Sequence, residues 1–272
     1  RSSAASDVYK RQFIFAAINA YDAERRLSMT NLWELVKELK SEDCRWIDLT
    51  HELSPQTPHW YGFGELETER IFDFGPDCIF RADKYVIPAG QFGTHVDAPG
   101  HFNQGCRSLE QIKLTEMLYP LVVVDKSRSC AENADYELTV DDLKEWEAAH
   151  GTIPEGAFVA FRSDWSKRAD MNNYDENKAP HYPGWKPDAI RWLVEERNIG
   201  AVGHETGDTD APAAGTNFAG ETYILKTDRI QVELMTNLDS VPPTGAIIFV
   251  TFPKVKDGMG FPARVFAICP AN

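Results

Sequence analysis

Gln91-Phe92-Gly93-Thr94-His95-Val96-Asp97-Ala98-Pro99-Gly100-His101 is the densest stretch of chemistry in the chain. Read as an extended segment, it alternates its side chains between two faces. Gln91, Gly93, His95 and Asp97 then share one face, and Phe92, Thr94 and Val96 share the other, which suits a core. An amide oxygen, an imidazole and a carboxylate project together, with Gly93 leaving space between them. Those are cation-ligand types at a spacing that lets them converge. Pro99 ends regular pairing, and His101 follows at a bend from which it can face the same cavity. A satisfied loop histidine beside an aspartate is the plainer account of any lone His. Here two histidines, an aspartate and a glutamine crowd into eleven residues, and a cation site is the better account.

Outward from this stretch, helical and strand-like segments intermix. Asn31 caps a helix whose apolar positions Leu32, Leu35, Val36 and Leu39 follow the 3.6-residue period. Trp46–Leu49 reads as a strand, a Pro-bounded loop carries His59, Trp60 and Tyr61, and a strand begins at Tyr85. Leu114–Leu118 looks helical, and Pro120–Val124 is a buried strand ending at Asp125. Thr139 caps a helix running to about His150-Gly151, followed by a strand at Ala157–Phe161. A polar loop spans Asp170–Lys178, and an amphipathic helix covers Asp188–Arg197. Ala201–Gly203 is a short strand opening on a Gly-, Asp- and Ala-rich loop from His204 to Gly220. Strands follow at Ile230–Leu234, Ala246–Phe252 and Ala263–Ile268. This order predicts an α/β fold, a single layered domain of mixed sheet with flanking helices.

The chain's 272 residues suffice for a sizeable core, and 43% hydrophobic with 26% charged residues is a globular composition. A net charge of −14 argues against nucleic acid or an anionic membrane as the main partner. Five scattered cysteines without a CxxC pair suit the reducing cytoplasm, and no apolar run is long enough to span a bilayer. Lys10-Arg11 before Phe13–Ile18 only faintly resembles a signal peptide, because the run is short and Asn19 breaks it. Asp7-Val8-Tyr9-Lys10-Arg11-Gln12 reads like a translated sequencing adapter, and Met29 is a plausible natural start. Residues 1–28 are therefore expected to be a non-native or disordered segment, and residues 29–272 the domain.

Gly93-Thr94-His95-Val96-Asp97-Ala98-Pro99-Gly100-His101-Phe102 resembles the HxGTHxDxPxHF signature of the cyclase-like metal hydrolases, which include bacterial kynurenine formamidase and isatin hydrolase. Glu233-Leu234-Met235-Thr236-Asn237-Leu238-Asp239 is similar to that family's ENLTNLD-type segment. Arg162-Ser163-Asp164-Trp165 and the loop from Gly203 to Asp210 fall in the expected order. The resemblance implies a swivelling β/α/β fold, a homo-oligomer (dimer or tetramer), and hydrolysis of a C–N bond in a small amide. N-formylkynurenine and isatin-like cyclic amides are the substrates it suggests.

Carried over by residue, the resemblance implies one or two divalent cations. Gln91, His95 and Asp97 serve one, with Asp97 bridging to a second that Glu221 and Glu233 complete. His101 is then the general acid/base. Two positions depart from the pattern: Gln91 and Glu221 each stand where the family has histidine. Both exchanges replace nitrogen by oxygen, which favours Mn²⁺, with Zn²⁺ or Mg²⁺ as alternatives. Trp60, Phe92 and His204 are candidate substrate contacts. The His204–Asp210 run is dense in ligand types and reads equally as cavity lining or as a solvated acidic turn, without EF-hand spacing. No phosphate-binding glycine loop and no GxSxG occurs. Lactone or ester hydrolysis is the second enzymatic reading, and a non-catalytic metal-dependent binding protein a third.

Overall fold

The computed structural model describes residues 31–215 and 217–271. The expectation for residues 1–28 lies outside the described residues. The described residues divide into two units, 31–44 with Ala271, and 45–270. In the first, helix α1 (Leu32–Leu39) begins at Asn31, whose side chain accepts from the Trp33 amide.

Chain order then gives β1 (Cys44–Asp48), the pair β2 (Glu67–Phe72) and β3 (Ala82–Val86), and the short β4 (His95–Asp97). Next come β5 (Leu118–Asp125), α2 (Ser127–Glu132), β6 (Glu137–Leu138), α3 (Val140–His150) and β7 (Phe158–Arg162). β8 (Gly184–Trp185), α4 (Pro187–Arg197), β9 (Ala201–His204), α5 (Ala219–Lys226) and β10 (Ile230–Glu233) follow. β11 (Ala246–Thr251), β12 (Gly260–Pro262) and β13 (Arg264–Pro270) close the chain. Nine strands form one mixed sheet in the order β1-β13-β11-β5-β7-β9-β10-β4-β12. Its centre, β5-β7-β9-β10, is parallel, and antiparallel pairs flank it on both sides. Parallel neighbours need crossovers, which α3, α4 and α5 supply.

Leu121-Val122-Val123-Val124 shows why this strand sits centrally, since both of its faces are apolar. Leu121 and Val123 pack with Val96, Val232, Ile248 and Val265 on one side of the sheet. Val122 and Val124 pack with Leu143, Trp146, Ile190 and Leu193 of α3 and α4 on the other. The α3 start is a reciprocal cap. The Asp142 carboxylate accepts from the Thr139 amide and hydroxyl, and Thr139 Oγ1 accepts from the Asp142 amide. The chain thus adopts the expected α/β layering of a mixed sheet with flanking helices.

Three local expectations are corrected. The extended run expected from Gln91 to Asp97 is a strand only at His95–Asp97, because Gly93 adopts φ +68° and turns the chain. The strand expected from Tyr85 starts at Ala82 and pairs with β2, forming a separate hairpin. The loop expected up to Gly220 already contains the start of α5, which carries Glu221.

Candidate metal centre

β4 and β10 pair antiparallel with Gln231 opposite Asp97 and Glu233 opposite His95. Val96 and Val232 point into the core, so His95, Asp97, Gln231 and Glu233 emerge together on the opposite face. β12 borders β4, with Gly260 opposite Asp97. A Cβ at Gly260 would stand 2.2 Å from Gln91 Nε2 and 2.7 Å from Asp97 Oδ1, so only glycine leaves that corner open.

His95 Nδ1 lies 2.8 Å from the Gly93 carbonyl oxygen. A carbonyl only accepts, so Nδ1 carries the proton in the neutral ring and Nε2 presents its lone pair. That Nε2 lies 3.4 Å from Asp97 Oδ2 and 3.4 Å from Glu233 Oε2, is buried, and has no hydrogen-bond partner. Glu221 Oε2 is likewise buried without a partner. Gln231 spans the cluster: its Nε2 donates to Asp97 Oδ2, Glu221 Oε1 and Glu233 Oε1 at 3.1, 2.8 and 3.1 Å. Thr209 Oγ1 fixes the other end of that amide at 2.8 Å. Among the described residues, His95, Asp97 and Glu233 form one group able to hold a metal ion, and Asp97, His101 and Glu221 a second. Asp97 is common to both.

The electrostatics agree with the donor set. Burial opposes an imidazolium at His95, yet Asp97 and Glu233 outweigh it and raise its pKa well above the ordinary value. The pocket therefore favours positive charge at Nε2. Burial also works against the Asp97 carboxylate, but His95 holds its pKa down at about 2. Glu221 is pushed well above the usual carboxylate range by burial, reinforced by Glu233 and Asp97. Buried carboxylates without countercharge are unstable, and a divalent cation fits an orphaned imidazole nitrogen facing them.

Remote residues position this cluster. Asp210 accepts from the Gly220 and Glu221 amides at 2.8 and 2.9 Å, capping α5 and fixing Glu221. His204 is buried at the end of β9, with Nδ1 taking the Trp185 indole proton at 3.3 Å and Nε2 3.4 Å from Glu233 Oε1. Buried Glu205 accepts from the Ser163 amide and from the Ser166 hydroxyl.

A cleft of about 470 Å³ is lined by Trp60, Tyr61, Tyr174, Tyr182, Asp208 and Phe218, among others. Tyr182 donates its hydroxyl to Asp208 Oδ2. Burial and the Glu233 carboxylate push the Asp208 carboxyl up to about 7.

Gln91, His95, Asp97, His101, Glu221 and Glu233 are therefore brought together. Gln91 Nε2 donates to Asp97 Oδ1 at 3.1 Å, and His101 Nε2 lies 3.9 Å from the same oxygen. Their grouping differs from the expected one: Glu233 joins His95, and Glu221 joins His101. Trp60 lines the cleft. Phe92 does not reach it, being fully buried and stacked on His59 at 4.6 Å. His204 faces Glu233, and of the two equal readings of the His204–Asp210 run the solvated turn is set aside, because the run is largely buried. Gln231 was not anticipated. Its signal was available, since it stands two positions before Glu233 on a strand and shares its face.

The family model named Cyclase, described as "Putative cyclase", matches residues 47–211. The chain is 32% identical to the isatin hydrolase of Roseibium aggregatum over 251 residues, 86% of this chain and 95% of that protein. The chain belongs to the cyclase family. Among solved cyclase-family structures, isatin hydrolase A from Labrenzia aggregata bound to benzyl benzoate superposes with a TM-score of 0.83 at 35% identity. That match covers 89% of this chain and 100% of the other. An isatin hydrolase bound to the product analogue thioisatinate matches with a TM-score of 0.83 at 30% identity, covering 89% and 99%. The cyclase match ends at residue 211, before α5 and β10. Glu221 and Glu233 thus join the cluster through the geometry described above. Among the described residues, no helix is long and apolar enough to cross a membrane.

Proposed function

We propose that this chain is a divalent-metal-dependent hydrolase opening the C–N bond of a small aromatic cyclic amide of the isatin type. The observation that carries the reading is the buried, unpartnered His95 Nε2 facing two carboxylates. Similarity to isatin hydrolases over nearly their whole length supports the substrate class. Residues 29–272 are taken as the hydrolase domain, with the compact unit from Arg45 to Pro270 as the part that carries the proposed site.

His95, Asp97 and Glu233 would hold one cation, with Gln91 contributing an oxygen at its edge. Asp97 and Glu221 would hold a second. The oxygen-rich set favours Mn²⁺ over Zn²⁺ or Mg²⁺. Once bound, a divalent cation supplies Lewis acidity and lowers the pKa of water in the site. His101 carries the proton between that water and the departing nitrogen. Its side chain is 28% exposed, against 1% for Asp97, so it can exchange protons with solvent. The His101 ring rests edge-on against Phe102, and among the described residues it has no anchoring hydrogen bond like the one that orients His95.

Aromatic esters form the second reading, because benzyl benzoate is bound in one relative. The same activated water attacks either carbonyl. Self-association as a dimer or tetramer is supported by the exposed apolar side chains at the tip of the β2–β3 hairpin, with Phe74 70% and Ile79 91% exposed. Five scattered cysteines without a CxxC pair support a reducing cytoplasmic setting. The deciding experiment assays the Mn²⁺-loaded protein against isatin, N-formylkynurenine, benzyl benzoate and simple lactones. Isatin turnover that chelation abolishes is expected. A loaded protein that hydrolyses none of them overturns the reading.

A further inference from the structure

We propose that Asp208, pinned by Tyr182, accepts the N–H of the scissile amide and thereby selects amides over esters and N-substituted amides. The inference rests on the hydrolase reading above. Its basis is how the polar side chains from Glu205 to Asp210 are used. Glu205 is taken by Ser163 and Ser166, and the Thr206 hydroxyl donates to the Asp208 carbonyl. The Thr209 hydroxyl is taken by Gln231, and both Asp210 oxygens by the start of α5. Asp208 differs. Its Oδ2 receives the Tyr182 hydroxyl, and among the described residues no donor reaches Oδ1. Asp208 and Tyr182 both line the cleft, whose walls include Trp60, Tyr61, Tyr174 and Phe218.

The position of Asp208 relative to the metal centre is fixed by the two residues that follow it. Thr209 ties the next residue to Gln231, and Asp210 ties the one after it to Glu221. Asp208 also lies close enough to Glu233 and Glu221 for their carboxylates to influence one another. An aromatic ring held by the cleft walls with its carbonyl turned toward the metal cluster would carry its ring nitrogen beside this free oxygen. A carboxylate oxygen rewards an N–H donor there. It meets only a lone pair from an ester or lactone oxygen, and only a methyl from an N-methyl amide. Tyr182 adds directionality: by donating to Oδ2 it holds the carboxyl plane and leaves Oδ1 open. Losing one partner of a hydrogen bond in such a partly buried site shifts affinity by roughly 10- to 100-fold.

The test compares kcat/KM for isatin and N-methylisatin in the Mn²⁺-loaded wild type, Asp208→Ala, the better-packed Asp208→Asn, and Tyr182→Phe. The wild-type preference for isatin should fall about 10- to 100-fold in both Asp208 variants, and less in Tyr182→Phe. A preference that stays unchanged, or equal losses on both substrates, overturns the proposal. A calorimetric arm keeps it separable from the hydrolase reading. The loaded proteins are titrated with 2-aminophenylglyoxylate, the ring-opened product, and with its N,N-dimethyl analogue. If the wild type hydrolyses neither amide, the hydrolase reading fails, yet an Asp208-dependent preference for the N–H ligand still sustains the inference. No such preference in the wild type, or its survival in Asp208→Ala, overturns it.

Discussion

At Gln91 an amide stands where the cyclase signature carries an imidazole, 3.1 Å from Asp97 Oδ1. An imidazole is the softer donor, so Gln91→His should move the site's preference from Mn²⁺ toward Zn²⁺. Competition against a chromophoric chelator would register this as a Zn²⁺/Mn²⁺ affinity ratio raised by about tenfold or more. An unchanged ratio would place the residue outside the coordination sphere. His101 poses the opposite question, because its Nε2 groups with Asp97 and Glu221 as a ligand set. A proton carrier is replaceable without metal loss. His101→Ala should therefore lower kcat by about 10²- to 10⁴-fold while metal content per chain, measured by mass spectrometry, stays the same. His95 and Asp97 were legible in the sequence because two ligand types two positions apart share a strand face. Phe92 carried two readings, core face and substrate contact, and its full burial against His59 leaves it to the core.

Helix α5 shows why part of the site escaped a reading by local pattern. Residue Phe218 precedes it in a left-handed conformation and offers no side-chain cap. The cap comes instead from Asp210, whose two oxygens take the Gly220 and Glu221 amides across the loop. Helix starts are recognised by a Ser, Thr, Asp or Asn immediately before them, and a cap from eight positions earlier leaves no such mark. α3 is the contrast, since Thr139 and Asp142 cap it locally and its limits were legible. Asp210→Ala strands two buried amides at the point where Glu221 leaves the helix. We expect a loss of about 0.5–2 kcal/mol in urea unfolding, together with weaker metal binding. Asp210→Asn, which keeps one acceptor, should recover part of both. Stability lost with metal affinity intact would mean that Glu221 needs no help from the cap.

For the whole molecule, the buried carboxylates couple metal binding to folding. Asp97, Glu221 and Glu233 are each at most 3% exposed, so a cation that binds only the folded cluster stabilises the entire unit. At a hundredfold excess over Kd the gain is about 2.7 kcal/mol, or roughly 5–10 °C in Tm for a domain of this size. Thermal scans with Mn²⁺ and with chelator should differ by that margin, and coincident curves would argue against a cation at these residues. The sheet order and both cores follow from strands with two apolar faces, which is why the layered class was readable. The β2–β3 hairpin was not, because its apolar residues find no core. Ile71, Phe72, Phe74, Ile79 and Phe80 are all about half exposed or more on a separate two-stranded ribbon. An isolated hairpin is marginal in water, and monomers seldom keep such a patch uncovered. A second copy that covers the patch is the expectation. Phe74→Ser with Ile79→Ser should therefore lower the mass seen by sedimentation from an oligomer to a single chain, with the far-ultraviolet circular dichroism retained. An oligomer that survives both substitutions assembles through another face, and the hairpin's apolar tip would then need a different occupant.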